Sequence, residues 1–302
     1  MNPLHPVQLS VLDVGRAHLT PHLARRVEEL GYARYWISEH HGEGGISNPT
    51  LLVPLVAGMT KRLRVGTAVI LLRFQSPLAV AENFRTLARL FPGRIDLGVG
   101  RAPAATAAQA RALHDGRAET YTAADHEAKV TEVQRLVTGR LPASHPLANE
   151  SIDPPLTTAG PPALWVHSTS VEGARLAARL GAHYSFHHHY NPTSGAEAVR
   201  LYEETFVASP ELSAPHWTVC VAGYCGADDA DVEDVITRHY SGLPAGRHLV
   251  QGGMDVWREA LAAIADVYRT REIVVQTLGG AYDLPRQIAS FARVAEAARG
   301  VS

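Results

Sequence analysis

Tyr35-Trp36-Ile37-Ser38-Glu39-His40-His41 is the stretch that decides the fold. An apolar, aromatic run ends here in one carboxylate and two adjacent imidazoles. In an α/β protein such a run is a buried strand, and polar groups at its carboxyl end lie where parallel sheets build their sites. Because successive side chains on a strand point to opposite faces, His40 and His41 cannot do the same job. We expect one to face a pocket, the other to bond outward, and the protein to be an enzyme.

Short apolar runs alternate with amphipathic stretches along most of the chain. The runs that read as strands are residues 7–12, 35–38, 63–72, 94–99, 164–167, 183–187, 218–224 and 272–277. A stretch of helical periodicity follows each run, and no change of composition marks a linker. Eight βα units in 302 residues predict one α/β domain, residues 1–302, folded as a (β/α)8 TIM barrel with insertions after strands four and seven. An open doubly wound sheet is the alternative.

The composition excludes several classes of protein. A formal charge of −2 without a Lys/Arg cluster gives no electrostatic basis for binding nucleic acid or an anionic membrane. No apolar stretch reaches the roughly 20 residues that a membrane span needs. The two cysteines, Cys220 and Cys225, form neither a CxxC motif nor a disulfide framework. We therefore expect a cytoplasmic protein with no nucleic-acid or membrane partner.

Two motifs at strand ends suit a phosphate group. Gly98-Val-Gly-Arg101 follows strand four, where glycine allows close approach of a ligand and arginine can bind phosphate in a bidentate manner. Ser168-Thr169-Ser170 follows strand five and precedes a helix, whose first amides can bind an anion. Each motif also has a purely structural explanation, as a turn or as a helix cap. Together they indicate a phosphate site.

His187-His188-His189 ends strand six. His187 and His189 could share a metal ion with His40 or His41. Metal-dependent barrel hydrolases usually carry His-x-His at the end of strand one, however, and strand one here ends in Leu12-Asp13-Val14. We therefore expect no metal site. We expect His187 and His189 to line the opening at the carboxyl end of the barrel, either packing on aromatic rings or contacting the substrate.

Several of these segments resemble the bacterial luciferase-like family of flavin-dependent monooxygenases. One is Phe-Pro-Gly-Arg-Ile-Asp-Leu-Gly-Val-Gly-Arg over residues 91–101. The others lie at residues 9–13, 30–42, 63–72, 76–82, 164–170 and 174–181. The resemblance is dense over residues 7–103 and 160–192 and thin after 195. The most similar members are the small monooxygenases associated with antibiotic gene clusters.

The resemblance implies a TIM barrel that holds reduced FMN at its carboxyl-end mouth, in a homodimer. His40 matches the family's catalytic histidine, and Glu39 would lie near the flavin ring. Ala68 and Val69 match a non-prolyl cis peptide beneath the ring. Arg101 matches the phosphate-binding arginine.

Other positions that the resemblance implies are less regular. Ser168, Thr169 and Ser170 stand where members often have Gly-Ser-Ser, and they would bind the phosphate. Arg73 follows Leu72 where many relatives have proline. A cation there, with His187 and His189, would affect which substrate enters.

The implied function is an FMNH2-dependent monooxygenase that oxidises a small organic molecule with O2 through a flavin C4a-peroxide. His40 could shuttle the proton of that peroxide, since its ordinary pKa lies near working pH. Water must be excluded, so residues 102–162 and 225–270 are candidate lids. The chain has no second NAD(P)H-binding domain, so we expect a separate flavin reductase as partner.

Two alternatives remain open from the sequence. The first is an oxidoreductase of the same fold that transfers hydride with the deazaflavin F420, whose acidic tail would need more cations than Arg73 and Arg101. The second is a flavin-binding relative without catalytic activity, against which the Glu39-His40 pair argues.

Overall fold

Parallel strands close into a barrel in the computed structural model of the chain. The structure describes residues 7–42, 45–102, 104–116, 120–152, 160–239, 247–277 and 283–301. The strands are β1 (Gln8–Asp13), β2 (Arg34–Ile37), β3 (Arg64–Thr67), β4 (Ile70–Leu71), β5 (Ile95–Gly100), β6 (Ala163–Ser168), β7 (His183–His187), β8 (Trp217–Cys225), β9 (Leu249–Gly252) and β10 (Glu272–Thr277). The barrel closes because β10 pairs with both β8 and β1.

Helices surround this barrel. They are α1 (Thr20–Glu29), α2 (Pro49–Met59), α3 (Pro77–Leu90), α4 (Ala107–Leu113), α5 (Ala123–Thr138), α6 (Val171–Leu180), α7 (Gly195–Thr205), α8 (Asp229–His239), α9 (Met254–Tyr268) and α10 (Leu284–Arg299), with a 3-10 turn at Leu72–Phe74. The predicted (β/α)8 barrel is confirmed, and the open sheet is excluded by the closure. In the described part of the chain, no helix has both the length and the apolar character of a membrane span.

The insertions lie where they were predicted, after the fourth and seventh barrel strands. The fourth barrel strand is β5, and α4 is added between it and the barrel helix α5. The seventh is β8, and α8 and β9 are added before α9. Strand β9 was not predicted. It extends the sheet by pairing with the carboxyl-terminal half of β8.

The predicted strand at residues 63–72 is divided in two. The peptide bond between Ala68 and Val69 is cis, as the resemblance implied. Before it, β3 pairs with both β2 and β5; after it, β4 pairs with β5 alone. The run is rich in apolar and β-branched residues on both sides, so its composition predicts one strand and cannot show where the pairing changes.

The lower interior of the barrel, at the amino ends of the strands, holds a charged cluster that we call the floor. Arg34 donates to Asp96 at 2.8 Å and also pairs with Glu272, while Arg64 donates to Asp96 at 2.6 Å. The Arg34 guanidinium lies over the Trp165 ring at 4.7 Å. Although burial alone would raise it, Arg34 and Arg64 hold the pKa of Asp96 below its usual value. The floor is therefore a set of buried charges that neutralise one another.

Trp36 and Trp165 form the next layer of the interior, with their rings edge to face at 5.3 Å. Both indoles are fully buried. Trp36 fits only because its neighbour on β3 is Gly66, where a Cβ atom would lie 2.6 Å from the Trp36 ring. This layer separates the floor from the carboxyl-end opening, which we call the mouth.

Candidate active site at the carboxyl end of the barrel

His40 and His41 have different surroundings, as the strand alternation predicts. The side chain of His40 lies on the same side of the chain as those of Trp36 and Ser38, towards the barrel interior. Its Nδ1 is 3.2 Å from the Ser38 hydroxyl. His41 instead contacts the Glu39 carboxylate, with 3.0 Å between Nε2 and Oε1. The amide of His41 donates to the Ala104 carbonyl, which ties this segment to the loop after β5. His40 is thus the histidine that faces the mouth.

Glu39 joins the ends of two barrel strands. Its buried carboxylate accepts from the Leu71 amide at 3.0 Å and contacts His41 with its other oxygen. Burial raises the pKa of this carboxyl, and the Leu71 amide and His41 oppose the rise. Glu39 therefore braces the backbone that follows the Ala68-Val69 peptide bond, on the side of β2 opposite His40.

The charge of Arg101 acts on the start of α6. Ser170 is the N-cap of α6, and its hydroxyl accepts from the Gly173 amide at 3.3 Å. The pKa of Glu172, in the first turn, is lowered by its own amide and by Ser170, and further by Arg175 and Arg101. Arg101 is exposed. A cation, a helix amino terminus and hydroxyl groups are therefore available to one anion.

The Ser168-Thr169-Ser170 run is itself held in place from several sides. The Ser168 hydroxyl accepts from the Ser170 amide at 2.9 Å. The Thr169 carbonyl accepts from the Asn191 side chain at 2.9 Å, which links the run to the loop after β7. Gly173 is required here, because a Cβ atom would lie 2.1 Å from the Ser168 hydroxyl oxygen.

Arg73 lies in the 3-10 turn that follows β4. Its guanidinium is 5.3 Å from the Phe74 ring and 5.8 Å from the Tyr121 ring. Phe74 also packs edge to face on His41 at 5.5 Å. Arg73 therefore belongs to an aromatic wall between the end of β4 and the insertion before α5.

Histidines crowd the interior just below the mouth. His167 Nδ1 lies 3.0 Å from His187 Nε2, and the His187 and His189 rings are 5.6 Å apart. Cys220 is buried in the layer that contains Trp36 and Trp165. The sequence predicted His187 and His189 as lining groups, whereas no motif indicated a role for His167 or Cys220.

Arg247 is a mouth residue that sequence reasoning missed. Its guanidinium lies 4.5 Å above the Tyr190 ring. Burial lowers the pKa of His40, and Arg247 and His41 lower it further. Arg247 also contributes to the low pKa of His189, of which burial is the main cause. No motif surrounds Arg247, and only the placement of the segment before β9 brings it to the mouth.

The family model of luciferase-like monooxygenases matches residues 7–298. The chain belongs to this family. The family resemblance inferred from residues 7–103 and 160–192 is therefore confirmed.

Two relatives illustrate the match. An uncharacterized Bacillus subtilis protein, YceB, is 38% identical over 215 residues, which are 70% of this chain and 64% of that protein. An Escherichia coli luciferase-like monooxygenase is 34% identical over 224 residues, which are 71% of this chain and 62% of that protein. The matched segments thus span a little under two thirds of the length of each relative.

Solved structures of other luciferase-like proteins share the architecture. The structure of apo-MsnO8 is 28% identical, with a TM-score of 0.83 over 98% of this chain and 99% of that chain. A diketocamphane monooxygenase component from Pseudomonas putida, in complex with FMN, is 17% identical, with a TM-score of 0.70 over 98% of this chain and 99% of that chain. An F420-dependent secondary alcohol dehydrogenase is 14% identical, with a TM-score of 0.72 over 98% of this chain and 100% of that chain. The last two show the fold alone.

For a luciferase-like monooxygenase, the donor set of this mouth fits a phosphorylated ring. The end of β2, the β4 segment, the end of β5 and the start of α6 all lie at the carboxyl edge of one barrel. A hydrogen bond links Glu39 to Leu71, and strand pairing links Leu71 to Gly100. Arg101 follows Gly100, and its charge lowers the pKa of Glu172 in the first turn of α6. At Gly100, a Cβ atom would lie 2.8 Å from the Val69 side chain, so glycine allows this close approach of the two segments.

Proposed function

We propose that this luciferase-like protein is an FMNH2-dependent monooxygenase that oxidises a small organic molecule with O2. The observation that carries the proposal is the placement of five features at the carboxyl edge of one barrel. They are His40, Glu39, the Ala68-Val69 cis peptide, Arg101 and the amino terminus of α6. Family membership supports the same chemistry. Antibiotic biosynthesis is the setting that the sequence resemblance suggests.

The phosphate of FMN would bind between Arg101 and the start of α6. Ser168, Thr169 and Ser170 offer hydroxyl groups there, and a helix amino terminus favours an anion through its free amides and its dipole. Arg101 adds a charge-assisted hydrogen bond from the opposite side. The phosphate end of the cofactor is therefore where affinity and orientation would come from.

The ring of FMN would lie over the Ala68-Val69 peptide, beside His40. The reduced flavin supplies the electrons that activate oxygen, which no side chain of the protein can do. His40 can accept a proton at its unprotonated ring nitrogen and then return it. Burial lowers its pKa, with Arg247 and His41 adding to the shift, which favours the neutral, proton-accepting form. Glu39 keeps the backbone under the ring in position and does not act on the substrate itself.

The mouth must also exclude water and select the substrate. Arg247 and Tyr190 line it on the side of β7, and Arg73 and Tyr121 lie on the opposite wall. Both insertions thus contribute to the mouth. We assign His187 and His189 to the region below it, with His189 the closer of the two to Arg247 and Tyr190.

A binding experiment with FMN and riboflavin tests the phosphate site. We expect the wild-type protein to bind FMN more tightly than riboflavin, which has the same ring but no phosphate. Arg101→Gln should weaken FMN binding by about 10- to 100-fold, the value of one hydrogen bond to a charged group. Riboflavin binding should not change.

Arg175→Gln is the matched control, because Arg175 lies on α6 and also approaches Glu172. It should leave FMN binding unchanged. Equal binding of riboflavin and FMN to the wild-type protein would contradict the assigned phosphate site.

F420 is the second candidate cofactor, and one observation favours it. With Arg247, the mouth has a third cation besides Arg73 and Arg101, and the acidic tail of F420 needs several. Parallel titrations with FMN and F420 separate the two proposals. Tighter binding of F420, with hydride transfer in the absence of O2, would replace the monooxygenase by an F420-dependent oxidoreductase.

A separate flavin reductase would supply the reduced cofactor. We expect substrate oxidation only when reduced FMN is provided, either by a reductase with NAD(P)H or by anaerobic chemical reduction followed by O2. Steady oxidation of a substrate without any flavin reductant would contradict the two-component mechanism.

A homodimer is proposed from the surface of α2. Leu51, Leu55 and Met59 lie at intervals of four residues on one exposed face, with 70%, 46% and 38% of their surfaces accessible. Leu90 at the end of α3 is exposed to 62%. A second copy of this chain would cover this stripe. Sedimentation should show a dimer, and Leu51→Glu with Leu55→Glu should make it a monomer.

A further inference from the structure

Three potential metal ligands meet in the barrel interior below the mouth. His187, His189 and Cys220 each offer one donor atom, and these atoms lie within 4.8 Å of one another. His187 and Cys220 are opposite one another in the register of β7 and β8. His189 lies in the turn that follows β7, and this turn places its ring 5.6 Å from the His187 ring. The cluster is thus a product of strand register, not of a short sequence motif.

The orientation of both histidines is already set by second contacts. His189 Nδ1 lies 3.3 Å from the Cys220 carbonyl, while its Nε2 is buried and has no hydrogen-bond partner in the part of the chain that the structure describes. His187 Nε2 lies 3.0 Å from His167 Nδ1. Metal-binding histidines usually have one ring nitrogen bonded to such a partner, which leaves the other nitrogen for the metal. The orphaned His189 Nε2 would otherwise cost free energy in this site.

The donor set is two imidazole nitrogens and one thiol, and all three residues are buried. A metal ion bound there would displace the proton of the Cys220 thiol, as coordination does for thiols generally.

We propose that His187, His189 and Cys220 bind one thiophilic d10 metal ion, Zn2+ or Cu+, with release of the Cys220 thiol proton. Nitrogen and thiolate ligands suit both ions, and hard cations such as Mg2+ prefer oxygen. A thiolate with Cu+ leaves no net charge in the buried site, whereas Zn2+ leaves one positive charge. This site is distinct from the proposed flavin site and does not depend on that assignment.

Metal titration of the protein, after treatment with a chelator, tests the proposal. Co2+ is the spectroscopic probe for the Zn2+ arm. We expect one Co2+ per chain and a thiolate-to-cobalt charge-transfer absorption, which Zn2+ then removes by displacement. Cys220→Ser should abolish that absorption, and both Cys220→Ser and His189→Gln should weaken Zn2+ binding by more than the roughly 10- to 100-fold expected for losing an outer contact.

Two control variants are available in the same part of the chain. Cys225→Ser changes the other buried cysteine of β8, and His188→Gln changes the histidine whose Nδ1 faces the Tyr268 hydroxyl at 2.6 Å, outside the cluster. Both should retain the cobalt absorption and the Zn2+ affinity. Retention of the absorption in Cys220→Ser, or its loss in Cys225→Ser, would overturn the assignment.

X-ray absorption at the zinc edge provides a test that needs no variant. The expected ligand shell contains one sulfur atom and two imidazoles. A shell of nitrogen and oxygen atoms alone, or the absence of stoichiometric binding, would overturn the proposal and leave a network of neutral hydrogen-bonded imidazoles. Competition against chelators specific for Cu+ and for Zn2+ then decides between the two ions.

Discussion

The floor and the mouth occupy opposite ends of one barrel interior, and they differ in whether their polar groups have partners. At the floor, Arg34 and Arg64 are matched by Asp96 and Glu272, and each carboxylate is buried against a guanidinium. Just below the mouth, the Nε2 atoms of His167 and His189 are buried and have no hydrogen-bond partner among the described residues, and at the mouth Arg101 is exposed.

This difference separates stability from function. A buried charge that has its partners holds the barrel in one arrangement, and its removal leaves the partners uncompensated. A buried polar atom without a partner adds nothing to stability and is available to a ligand. We therefore expect changes at the floor to affect folding and changes at the mouth to affect binding and turnover.

Arg34→Met should have the largest effect on folding. It leaves Asp96 and Glu272 without their shared cation, and removing one partner of a buried ion pair typically costs about 3–5 kcal/mol. Urea unfolding measures this loss. Arg26→Ala is the control, because it removes only the exposed pair with Glu29 and should cost less than about 1 kcal/mol. Equal losses in the two variants would show that the floor does not stabilise the barrel.

The second-largest effect is expected from acid, which should lower the free energy of unfolding by protonating Glu272 at the floor. Although burial alone would raise it, Arg34 and His216 lower the pKa of Glu272 to about 2, from an ordinary value of 4.5. The pKa of Glu272 is lower in the folded protein than in the unfolded chain. Its ionised carboxylate therefore stabilises the fold fully above pH 4.5, and this stabilisation is lost as the pH falls towards 2. The loss is on the order of 3 kcal/mol. Glu272→Gln should flatten the fall in unfolding free energy across this range, and an unchanged slope would contradict the assignment.

His40→Asn should have the largest effect at the mouth. Proton transfer by a positioned side chain typically contributes about 100-fold or more to turnover. We expect such a loss in oxygen-dependent product formation, with FMN affinity and urea unfolding unchanged. His41→Asn is the matched control, because its side chain faces Glu39 on the opposite side and should leave turnover nearly intact. Equal losses in both variants would remove His40 from the chemistry.

The smallest expected effect is a shift in a pH profile. Burial, Arg247 and His41 lower the pKa of His40, so the acid limb of kcat/KM should lie below 6.5. Arg247→Gln removes one of the lowering charges, so the limb should move up by less than about one unit. A downward shift, or a wild-type limb above 6.5, would show that another group controls the profile.

Much of the fold and part of the site could be predicted because they depend on local patterns. The alternation of apolar runs and amphipathic stretches predicted the barrel and its insertions. Strand alternation at Tyr35–His41 predicted the different surroundings of His40 and His41. The motifs around Arg101 and Ser170 predicted an anion site, since each lies at the end of a strand.

The tertiary structure alone decided which distant residues meet. Arg247 reaches the mouth because β9 adds to β8, and Cys220 faces His187 because of the β7–β8 register. The division of residues 63–72 depends on which partner strand is paired. Periodicity is a property of neighbouring residues, whereas register and loop placement depend on contacts between distant segments. A sequence therefore predicts which residues line a barrel more readily than which of them touch.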